Sequence, residues 1–126
     1  DPQIVVDDST KSKAWNRGAY LVQVLGHCGE CHSPRAANGV VQRAQHLAGN
    51  PQGPEGAPVP SLRDDAEQGV KDWSVNDIVT YLRRGEDPEF DFAGGAMVEV
   101  IDDSTSKLSE EDLNAIAQYL KDLPPL

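Results

Sequence analysis

Apolar residues recur at helical spacing in three stretches of the chain, and polar, glycine- and proline-rich stretches separate them. Over residues 12–25, Trp15, Gly18, Ala19, Val22 and Leu25 fall on one helical face, and Gly26 is placed to stop the helix. Over 74–84, Val75, Ile78, Val79 and Leu82 form a second apolar face. Ser74 and Asp77 resemble a capping box with a shortened acid, and Gly85 ends the segment. Over about 109–122, Leu113, Ile116, Ala117 and Leu120 make a third stripe. Ser109 is its cap, Glu110, Glu111 and Asp112 suit the positive end of the helix dipole, and Pro124-Pro125 forbid continuation. Gly18 lies inside the first face, where a missing side chain lets another helix come close. Tyr119 and Leu120 of the last helix are the expected partners.

Residues 33–72 read differently. Gly49-Asn50-Pro51-Gln52-Gly53-Pro54-Glu55-Gly56 is a dense loop signal, and a connection of this length is unusual in a compact domain unless it wraps something. Residues 1–11 are polar and aperiodic, which predicts a loosely ordered N-terminal segment ahead of one domain over 12–126. Strand signals are sparse, and no repeat or linker divides the chain, so the expectation is all-α.

Composition sharpens this picture. Of 126 residues, 38% are hydrophobic, little for a small domain that must build its core alone; a large apolar cofactor would make up the difference. No apolar run is long enough to span a bilayer. The chain opens Asp1-Pro2-Gln3, without a basic and apolar leader, and reads as a processed chain. The formal net charge of −10 is uneven. Residues 1–62 hold five acids and five bases, and residues 63–126 hold sixteen and six. Nucleic acid is excluded as a partner, because phosphate contact needs a basic face. The acids either keep the protein soluble or steer a partner with a basic docking face, and Glu86-Asp87-Pro88-Glu89-Phe90-Asp91 is the foremost candidate for an acidic rim.

The chemistry lies in Cys28-Gly29-Glu30-Cys31-His32, a C-x-x-C-H sequence that contains both cysteines of the chain. Two thiols at this spacing can form thioethers with the two vinyl groups of one haem, and the following histidine then lies under the iron as its proximal ligand. The rival readings are a redox-active cysteine pair, a structural disulfide and half of a zinc site. The first expects a βαβ setting, the second fits an extracellular pair, and the third needs two more ligands, of which His46 is one candidate. For the opposite face of the iron the single methionine, Met97, is favoured over His27, His46 and lysine. Thioether sulfur pairs with histidine in high-potential haems. Gly94-Gly95 just upstream predicts an irregular loop around Met97, and His46, in a polar stretch, reads as a surface histidine.

With these features the chain resembles the class I cytochrome c family. The resemblance runs from about Trp15 to Pro125 and implies a small all-α fold, three to five helices wrapped around one covalently bound haem c with long Pro/Gly-rich loops. More narrowly, Arg17-Gly18-Ala19-Tyr20-Leu21, Cys28 to Arg35, Asp72-Trp73-Ser74 to Arg83, and Met97-Val98-Glu99-Val100-Ile101 resemble the haem domains of multi-haem cytochrome subunits of membrane-bound alcohol and gluconate dehydrogenases. Ser104-Thr105-Ser106 and Leu113 to Lys121 continue the match. Those subunits carry three haem motifs where this chain carries one.

The resemblance gives Cys28 and Cys31 the attachment role and His32 and Met97 the axial roles. It places Pro34 near the proximal side, and in the family a nearby backbone carbonyl often accepts the proximal histidine's ring N–H. Arg35 and Trp73 become candidates for the haem propionates. The implied function is one-electron transfer rather than catalysis, from a periplasmic dehydrogenase to another cytochrome or an oxidase, by a protein exported to the bacterial periplasm before haem attachment. The alternative is a haem enzyme or gas-binding sensor with an open sixth iron site.

Overall fold

The computed structural model describes residues 7–63, 69–70 and 72–124; residues 1–6 of the N-terminal segment and 64–68 of the long loop lie outside them. Five α-helices make the frame: α1 (Lys13–Tyr20), α2 (Gly29–His32), α3 (Val75–Arg84), α4 (Ala96–Asp103) and α5 (Glu110–Lys121). Among the described residues there is no β-strand, only isolated bridges pairing Arg35 with Val41, Asn50 with Val59 and Glu86 with Phe92. The fold is all-α, as the periodicity predicts.

The helix starts follow the capping chemistry. Ser12 Oγ accepts the Trp15 N–H at 3.0 Å and Ser109 Oγ accepts the Asp112 N–H at 3.1 Å. The shortened box works in full, because Ser74 Oγ accepts from Asp77 N at 3.0 Å while Asp77 Oδ2 accepts from Ser74 N at 2.8 Å. Each such cap satisfies amides that the helix itself leaves unpaired, worth about 1 kcal/mol apiece.

Helix α1 crosses α5 at Gly18. A Cβ on that residue would collide with the Ala115 carbonyl oxygen and stand 2.8 Å from Tyr119 Cβ. The close approach is real, and its partners are Ala115 and Tyr119 rather than Tyr119 and Leu120. Ala19, Val22, Leu113, Ile116, Ala117 and Leu120 close the core around this crossing, with Ile78 and Val79 from α3. Burying each larger aliphatic side chain contributes about 1.5–3 kcal/mol. Arg17 reaches across the same junction to Asp112, Nε to Oδ1 at 2.9 Å and Nη2 to Oδ2 at 3.2 Å.

The first helix is not one uniform α-helix over 12–25. After Tyr20 it widens into a π-helical turn over Leu21–Leu25, closed by Gly26 N–H to Leu21 O at 2.7 Å. The extra residue in the turn shifts the later side chains around the helix axis. Leu25, expected on the buried face, is therefore 58% exposed, while Leu21 and Val22 stay inside. Residues 7–11 are tied to α1 and to the end of α5: Asn16 Nδ2 donates to Asp8 O at 2.9 Å, and Lys11 pairs with Asp122, just past α5, at 2.9 Å.

Candidate haem-attachment site

The π-helical turn sets the site. Its wide path ends with Cys28 N–H bonded to Val22 O at 3.0 Å. Between them His27 takes a left-handed backbone, φ 36°. The chain so turns inward and starts α2 directly at the motif, with Cys28 at its N-cap and His32 as its last residue. Gly29 packs closely here, since a Cβ would come within 3.3 Å of Ser33 Oγ and 3.5 Å of His46 Nδ1. Ser33 then takes an extended backbone, φ −117° and ψ 148°, the conformation imposed on a residue preceding proline, so Pro34 ends the helix.

His32 is buried, and its ring is oriented by one bond: Nδ1 donates to the Pro60 carbonyl oxygen at 2.8 Å. A carbonyl can only accept, so the proton sits on Nδ1 and the Nε2 lone pair is left free. Burial pulls the His32 pKa below its ordinary value, and the Pro60 bond opposes that shift. The accepting carbonyl thus belongs to Pro60, 28 residues along the chain. The carbonyl of Pro34 is taken by Gln42 N–H at 2.8 Å.

The long loop builds the platform for that carbonyl. Asn50 and Val59 exchange backbone bonds of 2.9 and 2.7 Å, and Gly49 N–H donates to His32 O at 2.6 Å. Gly49 has φ 93°, and a Cβ would stand 2.9 Å from Ser61 N, so only glycine lets the two arms of the loop pass. Leu47 is the hub. It is fully buried in a left-handed backbone, φ 61°. Its N–H donates to Ser33 Oγ at 2.8 Å, and its carbonyl accepts from Leu62 N at 2.9 Å and from Ser61 Oγ at 3.2 Å.

The thiols of Cys28 and Cys31 are both free. Burial pushes the Cys28 thiol up to about 11, so it stays protonated, while Cys31 is exposed. Two reduced thiols on one helical turn beside a neutral, pre-oriented imidazole form a donor set that fits a covalently held haem. Among the described residues no group of three His, Cys, Asp or Glu could hold a metal ion, and no strand supplies the βαβ setting of a redox-active pair.

The other residues singled out in the sequence occupy distinct places. Arg35 donates to Glu30 O and to Gly39 O, each at 2.8 Å, and to Glu30 Oε2 at 3.2 Å, which ties its guanidinium to α2. Trp73 packs edge-on against Tyr81, ring centroids 5.4 Å apart, on the rim of the core. Met97 is half-buried in the first turn of α4 instead of in an irregular loop. Gly95 supplies the sharp turn with φ 60° and ψ −143°, a backbone open essentially to glycine alone, and the helix begins immediately after it.

His46 is not a surface histidine. Its Nε2 meets the Tyr119 hydroxyl at 3.1 Å, and Gln23 Nε2 donates to the same hydroxyl at 3.0 Å. Burial first, then the neighbouring Arg63 and Arg43 guanidiniums, lower its pKa to about 4, and burial raises Tyr119 to about 12. The chain of bonds runs Gln23 to Tyr119 to neutral His46. Arg63, buried, donates to His46 O at 2.8 Å and to Pro124 O. Nothing in the local pattern around Arg63 or Leu47 announces these roles, and Pro58-Val59-Pro60 carries only the proline signal of a loop.

Comparison with known proteins settles the family. The cytochrome c family model matches residues 16–124. The chain belongs to the cytochrome c family. Over 111 residues it is 46% identical to a diheme cytochrome c-type protein of Cereibacter sphaeroides, covering 87% of this chain and 36% of that protein. It is 41% identical over 124 residues to the cytochrome c subunit of a quinone-type alcohol dehydrogenase of Gluconobacter oxydans, covering 94% and 26% respectively. It is 38% identical over 119 residues to a fructose dehydrogenase cytochrome subunit of Gluconobacter japonicus, covering 94% and 24%. The chain spans about a quarter to a third of the length of these curated relatives. Family membership carries covalently bound c-type haem and a role in electron transfer. Among the described residues no helix is long and apolar enough to cross a membrane.

Proposed function

We propose that this cytochrome c domain is a one-electron carrier rather than an enzyme, holding a single haem c through thioethers to Cys28 and Cys31. In this reading His32 Nε2 and the Met97 thioether would be the two protein ligands of its iron. The observation that carries it is the bond from His32 Nδ1 to the Pro60 carbonyl, 2.8 Å, on a buried ring. It holds the imidazole in the tautomer and orientation that a metal ligand needs, and a hydrogen-bonded Nδ1–H makes Nε2 the better donor. The haem supplies an iron that cycles between ferrous and ferric states.

The residues of the chain do the rest. Cys28 and Cys31 would anchor the group, the Leu47 hub keeps the Pro60 carbonyl in place, and Met97 would supply the second ligand. With both ligands bound, the iron would offer substrate no open site. We further propose that the electron donor is a dehydrogenase, since relatives are named as cytochrome subunits of alcohol and fructose dehydrogenases, and that the acceptor is another cytochrome or an oxidase. The location that goes with this chemistry is the bacterial periplasm, with export preceding haem attachment. Arg35 and Trp73 remain the candidates for the propionates, Arg35 through a guanidinium already held by α2.

The test is spectroscopic. Protein made with the haem-attachment machinery should show one haem per chain that resists acid–organic extraction, and the ferric form should show the weak red-edge charge-transfer band of methionine ligation. Rapid carbon monoxide binding by the reduced protein at neutral pH would overturn the closed sixth site.

A further inference from the structure

Between α3 and α4 the chain makes a hairpin loop whose construction and surface do not match. Its frame is rigid. Ala93 N–H donates to Gly85 O at 2.7 Å, Asp87 N–H to Asp91 O at 2.9 Å and Phe90 N–H to Asp87 O at 3.0 Å. Asp87 Oδ1 also accepts the amides of Glu89 at 2.9 Å and Asp91 at 3.0 Å. At the tip stands Phe90, left-handed with φ 67° and 78% exposed; Phe92, on the returning arm, is 74% exposed. A three-residue hairpin turn asks for glycine at this left-handed position, and a bulky residue there is strained. Among the described residues the strain brings no burial in return.

The charge around the tip has one sign. Glu86, Asp87, Glu89 and Asp91 lie within six residues with no base among them. Asp87 is occupied by the turn, and Glu86 lies 3.8 Å from Arg84, which leaves exposed Glu89 and Asp91 flanking Phe90. The base of the hairpin rests on α4: a Cβ at Gly85 would lie 3.7 Å from Ile101 Cδ1. Ile101 is four residues from Met97, on the same face of that helix.

We propose that the Phe90 hairpin is a preformed docking tip for a basic redox protein, with Phe90 entering an apolar cleft on the partner and Glu89 and Asp91 pairing with the basic rim of that cleft. A rigid exposed aromatic is the residue type that anchors interfaces, because little ordering entropy is lost when it docks. The sign of the charge selects the occupant. A second copy of this chain, at net −10, would set acids against acids, and an anionic lipid surface would be repelled equally. The proposal rests on the electron-carrier reading: in the docked pair one electron leaves the reduced carrier and reduces the partner's oxidised haem, with no bond made and no proton moved.

The test compares holoprotein variants in stopped-flow reduction of a mitochondrial-type cytochrome c, a strongly basic acceptor, with hexaammineruthenium(III) as a small acceptor that needs no docking. Phe90→Gly should raise the unfolding midpoint by relieving the strained backbone, yet slow reduction of the basic protein about tenfold at low salt while leaving the ruthenium rate unchanged. Phe90→Tyr should restore the protein rate. Glu89→Gln with Asp91→Asn should flatten its ionic-strength dependence. An unchanged protein rate in Phe90→Gly would overturn the proposal. So would self-association of the wild type in sedimentation that Phe90→Gly abolishes, or co-sedimentation with anionic phosphatidylglycerol vesicles. Failure of the carrier reading itself would look different: a missing charge-transfer band or carbon monoxide binding in the wild type, before any variant is made.

Discussion

His32 and Pro60 are joined by a hydrogen bond of 2.8 Å across 28 residues of chain, and that bond fixes the tautomer and orientation of the buried imidazole. The loop folds back at Gly49, pivots on buried Leu47 and is pinned to Ser33, so the carbonyl that accepts the imidazole proton is held by the same segment that supplies the imidazole. The most direct consequence concerns Ser33. Ser33→Ala leaves the Leu47 amide buried without an acceptor, a loss of about 1–3 kcal/mol. Urea unfolding of the holoprotein should report that loss, and hydrogen exchange at the Leu47 amide should accelerate.

Met97→Ala removes the proposed sixth ligand without disturbing Gly95, which shapes the start of α4. The reduction potential should fall by more than about 60 mV, a tenfold change in ferric preference. The red-edge band should vanish. Potentiometric titration followed optically measures both, and an unchanged spectrum would remove Met97 from the iron.

Gly18→Ala tests the helix crossing. Alanine is the better helix former by about 1 kcal/mol, so a free-standing helix would gain stability. Here the added methyl meets the Ala115 carbonyl and Tyr119 Cβ, and overpacking against backbone should reverse the sign to a net loss of about 1–3 kcal/mol. The unfolding midpoint decides between the two signs.

His46 gives the acid response a definite window. Its folded pKa of about 4 lies below the unfolded value of about 6.5, so between these limits the unfolded chain binds the extra proton. Stability from this residue is complete above about pH 6.5 and is lost as pH falls towards about 4. Allowing for solvent screening of a half-buried ring, the loss is about 1–2 kcal/mol. His46→Gln should flatten the urea midpoint between about pH 6.5 and 4 relative to the wild type. An equal slope in both proteins would show that His46 does not carry it.

Where local pattern carries the information, the reading from sequence holds closely. Helices α3 and α5 begin and end within a residue of the predicted bounds, because caps and apolar stripes act over three or four residues. It fails where a local signal is overridden. Gly94-Gly95 predicts a loop around Met97, but the second glycine is only the corner from which α4 starts. Leu25 fits the apolar stripe of a regular helix, and the π-helical turn moves it off that face. His46 looks polar in its neighbourhood, yet its ring meets the hydroxyl of Tyr119, 73 residues along the chain, which Gln23 also bonds.

Residue type and spacing are enough to establish the kind of chemistry: a C-x-x-C-H motif with one methionine far downstream, three helical stripes and an acidic second half. All of these are legible without coordinates. Packing in three dimensions is what selects the carbonyl that orients His32, brings α1 and α5 together at Gly18, and leaves Phe90 exposed on a strained backbone. Every residue carries the same carbonyl, and a backbone angle or a degree of exposure has no letter of its own. Such features come into being only when distant segments pack together.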